Sequence, residues 1–306
     1  MDMTAKEGMA GKPKTKPVSV TAIVLFALVF VFGLAVLLYP TISNWWNTRQ
    51  TARVIARYTE AVETIDSEQR ETLRREAQAY NQSLHKEPYR WHPNAERHER
   101  YLAQLNVSGD GVMGFVEIPR IKVSLPISHG ADMETLQNAI GHYEGSSLPV
   151  GGLGTHTVLS GHRGLPSAVL FSDLDAMRKG DFFFIHVLGE VLAYEVDEIQ
   201  VVEPVNFEPF ALDPERDLAT LFTCTPYGIN THRLLVRGVR VELETVNPDI
   251  TAEAGRASAA FIVPIAILLI LIALTAWLFM RKAKKRKHRL GNEKTGNETG
   301  VGEEEV

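Results

Sequence analysis

The stretch "DFFFIHVLGEVLAYEVDEIQVVEP", residues 181–204, decides what kind of fold this chain builds. Two runs rich in β-branched and aromatic residues meet at Leu188-Gly189-Glu190, the composition of a tight turn between paired strands. It reads as a β-hairpin. Runs of the same texture lie on either side: "GVMGFVEIPRIKVSLPIS" (111–128), "THTVLSGHRG" (155–164), "DLATLFTCTPY" (217–227) and "HRLLVRGVRVELE" (232–244). Gly, Pro and Asp separate them. Only brief helical candidates intervene, "DMETLQNAI" (132–140) and "LFSDLDAMRKG" (170–180). Short strands at this spacing predict a mainly β domain closed into a barrel. No segment repeats with a period of about 20 to 50 residues, so solenoids and propellers are excluded.

Upstream of the strands the texture is helical. Between residues 47 and 84 an apolar stripe of Ile55, Tyr58, Val62, Ile65, Leu73, Tyr80 and Leu84 recurs mostly at helical spacing. An amphipathic helix packed on the following domain, or leading away from a membrane, accounts for it. A coiled-coil dimer is the alternative, on a stripe that is short and interrupted at Gln69. Then "HKEPYRWHPN" (85–94), with its two prolines, breaks the helix.

Two uncharged runs flank all of this. "VSVTAIVLFALVFVFGLAVLL" (18–38) is 21 residues long, enough at 1.5 Å per residue to cross a hydrocarbon core of about 30 Å. A cleaved signal peptide competes with this reading. The run is longer than a signal core, however, and is followed by "YPTISNWW" rather than a small-residue cleavage site. Trp45 and Trp46 suit an interfacial belt. The second run is "ASAAFIVPIAILLILIALTAWLFM" (257–280), with the basic "RKAKKRKHR" (281–289) after it. Lysines before the first run and the basic cluster after the second place both termini in the cytoplasm. The segment from about Tyr39 to Ala257 is then extracellular. The expected layout is a cytoplasmic N-terminus (1–17), a transmembrane helix (18–38), an extracellular helical segment (39–84), a candidate lid and linker (85–110) and a catalytic barrel (111–246). A linker (247–256), a second transmembrane helix (257–280) and a basic then acidic cytoplasmic tail (281–306) complete it.

Composition narrows the chemistry. The chain is 306 residues, 45% hydrophobic and 23% charged, with a net charge of −5, ordinary values for a globular protein. Nothing basic runs along the outer domain, so nucleic acid is not an expected partner. No CxxC, HExxH, GxxxxGK[ST] or GxSxG occurs, and neither metal nor cofactor is implied. There is one cysteine, Cys224, in "TLFTCTPYGINTHRLLVRG" (220–238). It has no internal partner for a disulfide. An unpaired thiol in an exported chain is either buried and inert or kept for its reactivity.

A reactive thiol needs a base or positive neighbour, and a stabiliser for the oxyanion it creates. His162 stands out among ten histidines, because "TVLSGHRGLP" runs an apolar strand into Ser-Gly and leaves the imidazole at the strand mouth. His156 begins that strand, His186 lies inside the hairpin, and His129 and His142 sit in loops without an evident partner. Pattern alone leaves these open. Of His232 and Arg233, one faces the cysteine if the flanking strands pair. Arg233 offers a permanently charged fork of donors, yet an ordinary surface arginine at a strand start fits the same position. Arg237 and Arg240 fit that surface reading well.

"TLFTCTP" with Arg233 nine residues after the cysteine is similar to the TLxTC…R signature of sortases, and "SGHRG" resembles their histidine motif. The resemblance continues through "VEIPRIKVSLPISHG", "GHYEGSSLPVGG", "GHRGLPSAVLFSDLD" and "CTPYGINTHRLLVRG", covering roughly 110 to 245. The second apolar span and the wording around Cys224 resemble class C, the pilin-polymerising sortases of Gram-positive bacteria. The resemblance implies an eight-stranded barrel with short helices. It also implies roles: Cys224 as nucleophile, His162 as general acid/base, Arg233 as oxyanion or substrate stabiliser. The implied reaction cleaves an LPxTG-like sorting signal through a thioacyl intermediate and joins pilin subunits through a lysine. Anchoring of surface proteins to a cell-wall precursor is the alternative, and a non-catalytic membrane scaffold a third. Class C sortases often carry a lid with an Asp-Pro-aromatic motif. The candidate here is Glu87-Pro88-Tyr89, with Glu for Asp and with Trp91 as a rival aromatic plug. Its carboxylate is expected to reach Arg233 and its ring to cover the thiol, unless the segment is a plain linker.

Overall fold

A computed structural model of the chain describes residues 20–87 and 89–245. The second apolar run, both expected cytoplasmic ends and Pro88 lie outside the described residues. The first helix, α1, runs from Val20 to Thr64 without interruption and passes through Pro40. The expected boundary at residue 38/39 is therefore no structural break. One proline removes a single backbone hydrogen bond, and no other breaker follows before Ile65. The apolar half of α1 exposes Leu28, Phe32, Val36 and Leu37. Among the described residues it is the one helix long and apolar enough to cross a membrane.

Asp66 ends the run and caps α2 (Ser67–Leu84), its carboxylate accepting from the Gln69 amide at 2.7 Å. The apolar stripe read from the sequence is thus shared between two helices. Asn81 of α2 is buried and pairs with the Leu148 backbone in both directions, donating to the carbonyl at 3.1 Å and accepting from the amide at 2.7 Å. The expected linker contains a further helix, α3 (Ala95–Leu102), started by the Asn94 side chain accepting from Arg97.

Eight strands follow: β1 (Val112–Ile118), β2 (Val123–His129), β3 (Ile140–His142), β4 (Thr155–Ser160), β5 (Phe182–Val187), β6 (Glu190–Val202), β7 (Asp217–Thr225) and β8 (His232–Val241). They form a closed barrel in the order β1-β2-β3-β4-β7-β8-β6-β5, with β5 returning to β1. The β2–β3 and β4–β7 pairs are parallel and the others antiparallel. Residues 181–204 are the hairpin the sequence announces: Val187 pairs with Glu190 across Leu188-Gly189. Both turn residues have positive φ, 49° and 80°, the twist that suits a two-residue hairpin. Between β2 and β3 lies α4 (Met133–Asn138), as expected. The 170–180 segment holds only a 3-10 turn, Leu174–Ala176: Leu170, Phe171 and Leu174 are drawn into the core and the chain bends to follow them.

Alternation splits each strand between two environments. Met113, Ile185, Tyr194, Leu221, Leu234 and Val236 fill the main core together with Leu159. Val158, Leu235 and Phe222 point the other way, into a second cluster with Phe210. That outer cluster underlies the site. The pairings also fix the barrel's two ends. At one end Val202 lies opposite Arg233, and Thr225 of β7 opposite His232. At the other end Ala193 lies opposite Val241, next to the β5–β6 turn.

Candidate active site

The period of two that builds the barrel also gathers the candidate residues. Val158 is on the outer face of β4, Ser160 two residues on continues along that face, and His162 follows in the loop that leaves the strand. Phe222 is on the outer face of β7, and Cys224 follows at the same spacing. On β8, Arg233 lies two residues before Leu235, and it pairs directly with Cys224. Since β4 and β7 are parallel neighbours with Ser160 opposite Phe222, the loop leaving β4 carries His162 into the cleft that Cys224 also lines. Three adjacent strands thus deliver a thiol, an imidazole and a guanidinium to one surface. His162, Cys224 and Arg233 line a single open cleft of about 250 Å³, bounded by Phe207, Phe210 and Tyr143. Cys224 is a free, half-buried thiol.

Two backbone contacts fix the approach of His162. The Gly161 amide donates to the Phe222 carbonyl at 3.1 Å. The buried Thr223 hydroxyl donates to the Gly161 carbonyl at 2.7 Å. The two residues just before Cys224 therefore hold both the amide and the carbonyl of the residue before His162. Residue 161 must be glycine, because a Cβ there would sit 2.6 Å from the Phe171 ring. Partial burial lowers the His162 pKa below its ordinary value, which favours a neutral imidazole at neutral pH. Arg233 donates to the carbonyls of His232 at 3.1 Å and Asn230 at 3.3 Å, which turns its fork toward the β7–β8 turn.

Arg163, which sequence reading passed over, ties the two loops together. Its side chain is only 8% exposed and forms an ion pair with Asp175. It also donates to the Thr225 hydroxyl at 3.4 Å and lies over the Tyr227 ring at 5.7 Å. One side chain thus links the residue after His162 to the turn after Cys224. Its only sequence signal was its place inside "SGHRG".

This arrangement has counterparts among known proteins. The Sortase domain family profile matches residues 116–241. The crystal structure of sortase C1 from Streptococcus agalactiae is 44% identical, covers 62% of this chain and 98% of its own, and superposes with a TM-score of 0.61. The chain belongs to the sortase family. Sortase C of Streptococcus pneumoniae is similar at 45% identity, covering 62% of this chain and 97% of that one, with a TM-score of 0.55. By sequence, Sortase D from Bacillus subtilis (strain 168) is 30% identical over 131 residues, which are 42% of this chain and 63% of that protein. The chain spans less than two thirds of the length of the curated relatives it matches. These two structural neighbours are class C sortases.

In this sortase barrel the β6–β7 connection, with a 3-10 turn at Glu208–Phe210, folds over the outer cluster and forms one wall of the cleft. His156 pins it: one ring nitrogen contacts the Ala211 carbonyl at 2.9 Å and the other the Thr220 hydroxyl at 2.7 Å. Burial pushes the His156 pKa down to about 4, so it serves as a neutral strut. Arg90 also holds the connection, donating to the Phe210 carbonyl at 2.8 Å.

The candidate lid residues fall in different places. Glu87 does not reach Arg233; its carboxylate is 2.7 Å from Arg97 of α3, the nearer cation once α3 has formed. Tyr89 is 72% exposed and covers nothing. Trp91 points inward, with ring centroids 5.2 Å from Phe207, 5.8 Å from Tyr143 and 6.1 Å from Phe210. These are three rings of the cleft wall, so Trp91 braces the wall. Gly145, with a φ of +94°, admits the segment, since a Cβ there would meet the Arg90 carbonyl oxygen at 2.3 Å.

The remaining histidines and arginines have other partners. His129 and His142 lie on strands rather than in loops and are buried. His129 contacts the carbonyls of Gly111 and Gln104 at 2.9 and 2.8 Å, and His142 the Tyr101 hydroxyl at 3.0 Å. His186 stacks on Phe115 at 4.1 Å. Arg237 is half-buried against Asp197 and Glu198, at 2.7 and 2.6 Å, so it is a structural cation rather than a loose surface one. Arg240 lies over the Tyr194 ring at 5.8 Å.

Proposed function

We propose that this chain is a membrane-anchored cysteine transpeptidase that cleaves an LPxTG-like sorting signal and joins pilin subunits through a lysine. The observation that carries it is the strand register that sets Cys224 opposite Arg233, in one cleft that His162 also lines. In the first half-reaction the Cys224 sulfur attacks the Thr carbonyl carbon of the Thr–Gly bond. The developing oxyanion is met by Arg233, whose charge does not titrate. His162 takes the proton that the thiol gives up; the C–N bond then breaks, His162 passes that proton to the leaving amine, and a thioester remains on Cys224. In the second half, a lysine amine attacks the thioester carbon, the C–S bond breaks, and His162 takes up the proton. An isopeptide bond results, and the proton passes from His162 to the released sulfur, regenerating the thiol.

The apolar cleft wall of Phe207, Phe210 and Tyr143 suits the uncharged Leu-Pro portion of such a signal. The long apolar helix α1 supports anchoring in the bilayer, and the two-pass topology with both termini cytoplasmic remains part of the proposal. The segment around Trp91 acts as a cover through the wall it braces. Incubation of the full chain with a pilin subunit tests the reading. A ladder of covalent oligomers is expected, absent with Cys224→Ala and absent when the acceptor lysine of the pilin is replaced. Release of the cleaved signal without a ladder, with transfer to a cell-wall precursor amine, would transfer the chemistry to surface-protein anchoring instead.

A further inference from the structure

We propose that the active-site end of the barrel rests on the bilayer that α1 crosses, with Pro166 of the β4–β5 loop and Tyr227 and Ile229 of the β7–β8 turn as its lipid-contacting surface. This rests on α1 being a membrane anchor, and adds an orientation to it.

The orientation follows from where α1 touches the barrel. Near its apolar half, the Asn47 side chain donates to the Ser167 carbonyl at 2.6 Å, Ser43 donates to the same carbonyl at 3.3 Å, and the Val169 amide donates to Asn44 at 3.2 Å. Ser167 and Val169 belong to the loop that follows His162. Further along, the Tyr58 hydroxyl accepts from the Leu188 amide at 2.9 Å, while Tyr58 and Val62 pack with Val112. Leu188 is the β5–β6 turn, at the end of the barrel opposite the cleft. The two contact levels are about 15 residues apart on a continuous helix, or roughly 22 Å. The helix therefore runs along the barrel, and its apolar half continues past the cleft end.

Depth follows from the same helix. Ser43 to Asn47 come five to nine residues after Leu38, the end of the apolar run, which is about 8–14 Å along the axis. A headgroup layer extends about 5–8 Å beyond the hydrocarbon on each side. Trp45 and Trp46 are exposed in this stretch, and Arg49 lies over the Trp45 ring at 4.1 Å, the composition of an interfacial belt. The loop bonded to this stretch is consequently held at the outer edge of the headgroups.

The side chains presented there suit that position. Tyr227 is 62% and Ile229 67% exposed, and Pro166 is also exposed. The Tyr227 ring lies against Gly164, where a Cβ would be 3.1 Å from it, so loop and turn form one continuous tip. Asp175 of the same loop is neutralised by Arg163. An aromatic ring with a polar end beside an aliphatic side chain favours a membrane interface over bulk water. A peptide entering the cleft is then taken up at headgroup level.

The test uses the full chain with Cys224→Ala, so that each introduced cysteine is the sole label site. Fluorophores are placed separately at Ile229→Cys, at Glu190→Cys on the far end, and at Val31→Cys in the apolar helix, in vesicles carrying shallow or deep nitroxide lipids. Severalfold stronger quenching by shallow nitroxide at Ile229 than at Glu190 is expected, with Val31 quenched by deep nitroxide. Replacing both Asn44 and Asn47 by Ala should lower the Ile229 quenching and leave Val31 unchanged. Deep quenching at Val31 with equal, weak quenching at Ile229 and Glu190 overturns the orientation while leaving the anchor intact. Absence of quenching at Val31 removes the anchor, and the surface with it.

Discussion

Replacing Thr223 by Val isolates the tie between the nucleophile strand and the His162 loop. The two side chains are nearly isosteric, Thr223 is 1% exposed, and its hydroxyl donates to the Gly161 carbonyl at 2.7 Å. The change removes one hydrogen bond and leaves a carbonyl oxygen without that donor, a loss of about 1–3 kcal/mol. For a domain of this size that lowers the melting temperature by roughly 3–10 °C. The Gly161 amide still reaches Phe222 at 3.1 Å, so the loop stays folded but loses one of two restraints on the residue before His162. A shift on the order of 1 Å at a reacting group can cost about a hundredfold in rate, and partial restraint predicts a fall in kcat/KM of about ten- to a hundredfold, mostly in kcat. The assay pairs thermal melting with single-turnover acylation by a sorting-signal peptide. Thr223→Ser, which keeps the hydroxyl, should recover most of the rate. A destabilised Thr223→Val protein that acylates at the parental rate would refute the argument that this bond positions the imidazole.

Three further outcomes are expected. Arg163→Ala should slow acylation and change its pH profile, because the residue linking the two loops is gone; Arg163→Lys keeps the charge but not the fork and should recover only part of the rate, whereas unchanged kinetics in both would show that the link plays no part in positioning His162 and Cys224. Trp91→Ala, or deletion of residues 86–92, should raise the rate of Cys224 alkylation severalfold by loosening the Phe207–Phe210 wall; an unchanged rate would make the segment a linker. Acidification should destabilise the fold: burial holds His142 and His156 at about 4, so the unfolded chain binds more protons between about pH 6.5 and 4 and stability falls as pH falls through that window, by about 2 kcal/mol for each residue at pH 5. Denaturant midpoints that do not drop between pH 7 and 5 would contradict the neutral-strut reading of these histidines.

Much of this arrangement was legible because it depends on short-range rules. The hairpin at residues 181–204 carries its own turn chemistry, and alternation along β4, β7 and β8 needs only a period of two. The position of Cys224 opposite Arg233 follows once the flanking strands pair. Long-range contacts were not legible. His129 and His142 have partners supplied by Tyr101 and by backbone far along the chain, so no local pattern marked them as buried. Glu87 was expected at Arg233 because α3, which brings Arg97 nearer, is a short polar helix with only Asn94 as its start signal. Thr223 was hidden by its ordinary composition: its hydroxyl matters only after the parallel β4–β7 pairing brings Gly161 within 2.7 Å. The aromatic "NFEPF" (206–210) carried no reading in the sequence, because nothing local shows that the segment folds over the outer cluster.

In the proposed reaction the Cys224 sulfur carries the acyl group between donor and acceptor. Mass spectrometry of the full chain, quenched during turnover of an LPxTG-like peptide, addresses it directly. A thioester adduct with the mass of the peptide up to its threonine is expected on the fragment containing Cys224, accumulating when the acceptor amine is withheld and vanishing when it is added. Cleavage of the peptide by the Cys224→Ala protein, or turnover with the acyl group found on any other residue, would contradict it.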